Sequence, residues 1–326
     1  MPNPPKHTTI NTLHSDFVHG DDSVPALVER NISRVDDPTG EGSRAFLSLD
    51  RTAARSAAVV AQCRFTHTID SSVRPLEGVP IAIKDLFDVR GEVTAAGSTA
   101  LRHRPAATDD CAAVVRLRAA GAIPFGRSNM VEFAYSGVGI NPHFGTPRNV
   151  WGRSADGGGR VPGGSTSGGG VAVADGMAVA ALGSDTGGSV RIPAALNGIC
   201  GFKPTAIRVP VTGAIPLSFS LDSIGPLAAS VACCARIDAV LSGVDFNAAA
   251  AAATDLRGKR LLKPVSGLST VWNDLDPEVL TACNAALDAL AERGAVIVEA
   301  PCPALDEYFA AANHLGLTAP ERSTGI

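Results

Sequence analysis

The sequence predicts an α/β fold in which a largely parallel sheet is covered by helices on both faces. Hydrophobic residues make up 45% of the 326 positions and charged residues 18%, a composition that can fill a large core. Short apolar runs alternate along the chain with segments that carry helix start and stop signals. Because strands buried on both faces appear as continuous apolar runs, this alternation is typical of an α/β sheet.

The individual elements follow from the same signals. The predicted strands are residues 46–49, 79–83, 122–125, 177–182, 261–262 and 296–298. A helix is predicted over 51–63, and a second begins at Asp109 or Asp110 and ends at Gly121. A third covers 230–241. A fourth has Asp276 as its N-cap, followed by proline at the first helical position.

Charge and cysteine usage exclude several function classes. The chain has 28 Lys and Arg against 32 Asp and Glu, a net charge of −4, and it has no basic block, so a nucleic-acid surface is not predicted. No apolar stretch is long enough to cross a bilayer, and the N-terminus lacks a signal-peptide pattern. The seven cysteines form no C-x-x-C pair. These features predict a reduced, cytoplasmic protein without a zinc site.

Three loop motifs that are common in enzymes are absent from the sequence. No P-loop pattern occurs, and Gly137-Val138-Gly139 is followed by Pro142 where a dinucleotide-binding loop needs glycine. The nucleophile elbow G-x-S-x-G is also absent, and the histidines give no local support to a Ser-His-Asp triad. Nucleotide binding and an α/β-hydrolase fold are therefore not predicted.

The glycine-rich stretch 155–170 has two interpretations. Its composition is typical of a flexible linker. However, apolar segments stand on both sides and the stretch leads directly into 171–174, which has the character of a first helical turn. Glycines in a loop before a helix let backbone N–H groups approach an anion, so a functional loop, which contains Ser165, is the preferred interpretation.

Two further positions have both a structural and a chemical interpretation. In 183–194, two glycines precede Ser189, and such a turn is either an ordinary tight turn or a cluster of N–H groups forming an oxyanion hole. Lys84 closes the apolar run 79–83, where it is either a solvated strand end or a buried amine. A buried lysine has a lowered pKa and can act as a base that activates a serine.

Taken together, these segments resemble the amidase signature family. Ser165 and Ser189 are 24 positions apart, as in that family, and the resemblance extends from about residue 45 to 241. The segments that carry it, in chain order, are 78–85, 126–133, 144–149, 163–170, 185–193, 201–205 and 221–226.

The resemblance implies a mixed, mostly parallel twisted sheet and a Ser-Ser-Lys triad. In this mechanism Ser189 attacks an amide carbonyl to form an acyl-enzyme, and Ser165, preceded by a cis peptide bond, relays the proton to Lys84. The implied oxyanion hole consists of backbone N–H groups, and no metal or organic cofactor is implied. The residues that would provide those N–H groups are Thr186, Gly187, Gly188 and Ser189.

The chain departs from the family pattern in two ways. Thr166 stands where the family usually has serine or glycine, and we expect the loop to tolerate it. Family members also continue well beyond the length of this chain. The expected organisation is a single domain, 1–326, with a helical N-terminal segment (about 1–65), a signature core (about 70–245) and an incomplete C-terminal part (about 246–326).

Three functions remain open at this point. The leading hypothesis is an amidase that acts on a small carboxamide, without direct contact with nucleic acid or membrane. The second is an A-subunit-like protein of a glutamine amidotransferase, whose triad would be the same. The third is a truncated, inactive remnant whose exposed sheet edges would invite a partner chain. A homodimer or a partner subunit is compatible with the sequence.

Overall fold

A computed structural model describes residues 8–67, 73–153, 158–246, 255–265, 275–304 and 307. The chain divides into two compact units, Met1–Phe246 and Asn247–Ile326. The tail 321–326 and residues 155–157 of the glycine-rich stretch lie outside the described residues. The domain organisation expected from the family resemblance remains a prediction.

The first unit contains the elements predicted for the signature core and several more. Its helices are α1 (Ile10–His19), α2 (Val24–Val35), α3 (Gly42–Ala45), α4 (Arg51–His67), α5 (Ala112–Ala119), α6 (Ser167–Ala174), α7 (Arg191–Asn197) and α8 (Val231–Ser242). Its strands are β1 (Phe46–Ser48), β2 (Pro80–Lys84), β3 (Ile123–Ser128), β4 (Ala180–Asp185), β5 (Cys200–Gly201) and β6 (Ser223–Ala228).

These six strands form one mixed sheet in the order β1-β3-β2-β4-β6-β5. Parallel pairing joins β3 to β2 and β2 to β4, whereas the other three pairings are antiparallel. The predicted α/β class is therefore confirmed, but the share of parallel pairing is smaller than predicted. The reason is that β1 adds to one edge in the antiparallel sense, and that β5 and β6, which the apolar runs did not reveal, add to the other edge in the same sense.

The sheet is buried on both faces, as predicted. Along β2, Ile81 and Ile83 enter one apolar cluster and Ala82 enters the other, as the two-residue period of a strand requires. Side chains of α5 and α8 belong to the first cluster, and those of α2, α4 and α6 belong to the second. The central strands are thus shielded from water on both faces of the sheet.

Helix ends agree with most of the sequence signals. The Ser230 side chain accepts a hydrogen bond from Cys233 N (3.2 Å) at the start of α8, and Gly243 ends that helix with a φ of 74°. Neither Asp109 nor Asp110 caps α5, because the N-cap is Cys111. The longest of these helices has 17 residues, and among the described residues no helix is long and apolar enough to cross a membrane.

The second unit is described over a parallel strand pair and one helix. The strands are β7 (Arg260–Pro264) and β8 (Val296–Ala300), and the helix is α9 (Pro277–Glu292). The predicted cap is confirmed, because Asp276 accepts a hydrogen bond from Glu278 N (2.9 Å). No residue of α9 is buried.

Candidate active site

Lys84 occupies the carboxyl end of β2, between β3 and β4. Its side chain is fully buried. The ammonium nitrogen donates hydrogen bonds of 2.8 Å to Ser165 Oγ and of 2.8 Å to Ser184 Oγ. Lys84 therefore lies within hydrogen-bond reach of Ser165 in a buried setting.

Burial also changes the acidity of Lys84. Loss of hydration lowers the Lys84 pKa from 10.5 to about 7, while the negative charges of Asp185 and, to a smaller extent, Asp222 act in the opposite direction. The neutral form of this amine is therefore accessible near neutral pH. A neutral amine has a free lone pair and can take a proton from a hydroxyl.

Ser165 lies in a tightly packed loop that leads into α6. The peptide bond between Gly164 and Ser165 is cis, as the family resemblance implied. Gly164 N donates to Gly137 O (2.8 Å), and Val131 N donates to Ser165 O (3.1 Å). A methyl group on Gly164 would lie only 2.8 Å from Gly139 Cα, so the close approach of these two backbone segments requires glycine here.

Thr166, the departure from the family pattern, fits its surroundings. A methyl group built on Gly183 would lie 2.9 Å from Thr166 Oγ1, and one on Gly169 would lie 3.0 Å from Thr166 Cγ2. Two glycines thus make room for the threonine side chain. The Thr166 N–H donates to Ser189 O (3.2 Å), which ties the Ser165 loop to the Ser189 turn.

Ser189 lies in the turn between β4 and α7, and 6% of its surface is exposed. The turn is held from inside by the carboxylate of Asp185, which is buried. This carboxylate accepts hydrogen bonds from Gly188 N (2.7 Å) and Val190 N (3.1 Å), and it pairs with the Arg191 guanidinium at 2.9 Å. Asp185 therefore fixes the backbone that presents Ser189.

Because of these contacts, only some of the four N–H groups implied for the oxyanion hole are free to bind a substrate oxygen. The N–H of Gly188 is already used by Asp185. Among the described residues, the N–H groups of Thr186, Gly187 and Ser189 have no acceptor. These three groups remain available to a developing negative charge next to the Ser189 hydroxyl.

Sequence reasoning did not assign a role to three polar residues of the site: Ser184, Asp185 and Asp222. Asp185 and Asp222 lie inside segments that carry the family resemblance, and Ser184 directly precedes one of them. Their roles were not visible because each depends on a partner that only the folded turn or a distant segment supplies, such as Lys84 for Ser184. Within the described ranges, no group of three or more His, Cys, Asp or Glu side chains could hold a metal ion.

The fold and the site define an α/β protein with a buried serine–lysine pair beside a second serine in a glycine turn. The family model named Amidase matches residues 27–321. The chain is 39% identical over 278 residues to a 2-amino-5-chloromuconic acid deaminase of Comamonas testosteroni. It is 40% identical over 285 residues to the A subunit of the glutamyl-tRNA(Gln) amidotransferase of Roseiflexus sp. (strain RS-1). The chain belongs to the amidase family, as its motifs indicated.

A solved structure of another amidase has the same fold as this chain. The native peptide amidase of Stenotrophomonas maltophilia superposes with a TM-score of 0.79 at 30% identity, over 99% of this chain and 67% of that chain. The alignments cover 85% and 82% of this chain for the deaminase and the amidotransferase protein. They cover 58% and 55% of those two proteins, so this chain spans somewhat more than half of their length.

Proposed function

We propose that this chain is an amide hydrolase that cleaves the C–N bond of a small carboxamide through Ser189, Ser165 and Lys84. The observation that carries the proposal is the Lys84–Ser165 hydrogen bond of 2.8 Å in a fully buried setting. A serine hydroxyl is inert until a base takes its proton, and a lysine with a pKa of about 7 is a competent base at neutral pH.

The first step transfers one proton along the three side chains. Ser189 Oγ bonds to the carbonyl carbon while its proton passes to Ser165 Oγ, and the Ser165 proton passes to Lys84 Nζ. The carbonyl oxygen takes the negative charge and faces the free N–H groups of Thr186, Gly187 and Ser189. Lys84 ends this step as an ammonium ion.

The second step breaks the C–N bond. The proton on Lys84 returns through Ser165 to the amine nitrogen, which departs and leaves the acyl group as an ester on Ser189. Water then attacks this ester, again giving its proton to Lys84 through Ser165. Collapse of the intermediate returns the proton to Ser189 and releases the carboxylic acid, so that protons and charges balance over the cycle.

A fluorophosphonate probe tests the nucleophile without knowledge of the substrate. We expect covalent labelling at Ser189, detected by mass spectrometry of the labelled peptide, and loss of labelling in Ser189→Ala. Ser15→Ala is the matched control because this exposed serine lies on α1. Absence of labelling in well-folded protein would favour the inactive remnant.

A second candidate function follows from the relatives. Several of them are named as the A subunit of a glutamyl-tRNA(Gln) amidotransferase, that is, as one subunit of a larger enzyme. For this chain, that function would give glutaminase activity without general amidase activity, together with co-purification of partner subunits. A panel of aliphatic and aryl amides that includes glutamine, assayed beside native mass measurement, separates the two candidates.

A further inference from the structure

We infer that Asp222 is a positioning residue of this site: its carboxylate holds Thr186 in the turn before Ser189 and places a negative charge near Lys84. The inference rests on the proposed function, because it assigns Asp222 a part in the same proton transfer and oxyanion binding. Asp222 does not touch the reacting atoms and acts through these two residues.

The first support is the set of hydrogen bonds to the carboxylate. The Thr186 hydroxyl donates a hydrogen bond to Asp222 Oδ1. The other oxygen, Oδ2, accepts from the backbone N–H groups of Leu217 (2.8 Å) and Ser218 (3.1 Å). Both oxygens are therefore occupied, and the carboxylate connects the Ser189 turn to the loop that precedes β6.

The strand register explains why these residues meet. Asp185 at the end of β4 pairs with Ser223 at the start of β6 in an antiparallel ladder. Thr186 directly follows β4, and Asp222 directly precedes β6. These two residues therefore leave the sheet side by side. Since the Thr186 N–H is one of the three free donors beside Ser189, holding its side chain also fixes the direction of this donor.

The second support is the charge distribution around Lys84. Asp185 and Asp222 both favour the charged form of Lys84 and raise its pKa against the effect of burial. Asp185 is balanced by Arg191, and Asp85, the next residue after Lys84, is paired with Arg127 at 3.0 Å.

A further cation, Lys203, contacts the start of β6. Its amine donates to Pro204 O (2.7 Å) and to Ser223 Oγ (3.4 Å). The Asp222 carboxylate instead receives the Thr186 hydroxyl and two backbone N–H groups, which are neutral donors. Removing its charge should therefore lower the Lys84 pKa further.

Kinetics of the amide reaction give the first test, with Asp222→Asn and Thr186→Val as the two variants. We expect each to lower kcat/KM by roughly 10- to 100-fold, a smaller effect than loss of a whole oxyanion donor. The acid limb of the pH profile should move to lower pH only in Asp222→Asn, because Thr186→Val keeps the charge. The double variant should be little worse than Asp222→Asn, since the single amide oxygen cannot serve both the Thr186 hydroxyl and the two backbone N–H groups, so the Thr186 contact is lost or weakened in both variants.

Three comparison variants exclude a general effect. Asp222→Glu keeps the charge and should leave the acid limb in place, and Thr186→Ser keeps the hydroxyl and should retain more activity than Thr186→Val. Asp245→Asn changes the net charge by the same amount at an exposed position, and it should not move the acid limb. A multiplicative loss in the double variant, or an unchanged acid limb in Asp222→Asn, would overturn the inference.

Lysine titration by NMR tests the inference even if no amide is turned over. The chain has only five lysines, so protein labelled with ¹³C at lysine Cε gives few signals, and Lys84→Met identifies the Lys84 signal. We expect the Lys84 titration to move to lower pH in Asp222→Asn and to stay unchanged in Asp245→Asn. An unchanged Lys84 titration would reject the inference with the proposed function still standing, whereas absent labelling and turnover would reject the function.

Discussion

Two strands of this chain, β2 and β7, each pair in the parallel sense with a neighbouring strand and carry apolar residues followed by a lysine. The two lysines nevertheless lie in opposite surroundings. In β2 all five residues are buried, and Lys84 lies among serine hydroxyls without exposure to water. In β7 the corresponding residues are partly open: Leu262 is 51% exposed, and Lys263 binds the Glu299 carboxylate at 2.8 Å.

The difference between the two strands comes from their neighbours. β2 is paired on both sides, by β3 and β4, and helices cover both faces of that sheet, whereas β7 belongs to a two-stranded sheet with β8. A lysine that stays near water keeps a carboxylate partner, while one deprived of water becomes a base. The comparison teaches that position in the sheet, and not the local residue pattern, creates the chemistry of Lys84.

The largest expected effect is on activity. We expect Lys84→Met to lower kcat by roughly 10²- to 10⁴-fold, because the reaction loses its base. The matched variant Lys263→Met should keep kcat within about twofold, since its amine meets a surface carboxylate. Steady-state kinetics on the best amide of the panel measure both, and equal losses in the two variants would break the comparison.

The next largest effect is on stability, and it comes from truncating the apolar residue just before each of the two lysines to alanine. Ile83 is 1% exposed, so Ile83→Ala should lower the free energy of unfolding by about 2–5 kcal/mol through the cavity it leaves. Leu262→Ala removes a half-exposed side chain and should cost about 0.5 kcal/mol. Urea unfolding followed by circular dichroism measures both, and similar costs would show that β7 is as well covered as β2.

The pH dependence of stability is a third way to compare the strands. The Lys84 pKa is about 7 in the folded chain and 10.5 when hydrated, so between these values the unfolded chain binds more protons and stability rises with pH. In Lys84→Met this contribution is missing, so the variant's stability relative to wild type should fall by roughly 3–4 kcal/mol from pH 7 to pH 10.

Lys263→Met is the control for that measurement. It should keep the wild-type rise in stability between pH 7 and pH 10, because Lys84 is unchanged in it. Cysteine and tyrosine ionisation in the same range affects all three proteins alike, so only differences between them are compared. A rise of wild-type size in Lys84→Met would show that Lys84 titrates normally in the folded chain.

The last expected effect concerns α9, the helix that follows β7 along the chain. Asp276→Ala removes the N-cap of α9 and should cost about 1 kcal/mol. Hydrogen exchange should increase in α9 and its neighbouring strands while α8 keeps its protection. Ser230→Ala, which removes the equivalent cap of α8, should give the reverse pattern, and exchange spread evenly over both helices in either variant would contradict this expectation.

Most elements could be predicted from local signals, and the failures have identifiable causes. Apolar runs located β2, β3 and β4, and polar caps located α8 and α9. β6 escaped because Gly225 and Pro226 interrupt its apolar pattern, although all six of its residues are buried. Its place in the sheet comes from pairing with β4, which no local signal carries.

The site shows the same division between local and distant information. Lys84, Ser165 and Ser189 were predicted as site residues from an apolar run, from glycine patterns and from the spacing that the family resemblance carries. The use of the Gly188 N–H by Asp185 was not foreseen, because it depends on how the turn folds back over the end of β4. The contact of Thr186 with Asp222 spans 36 positions and depends on the β4–β6 register.

The sequence alone pointed to Lys84, Ser165 and Ser189 as candidate site residues and to the turns that carry them, because glycine runs and apolar periodicity are local properties. The tertiary structure decided the surroundings of those side chains. Only the packing of β2 between two strands and two helical layers removes water from Lys84, and desolvation is what turns an ordinary ammonium group into an amine able to accept a proton.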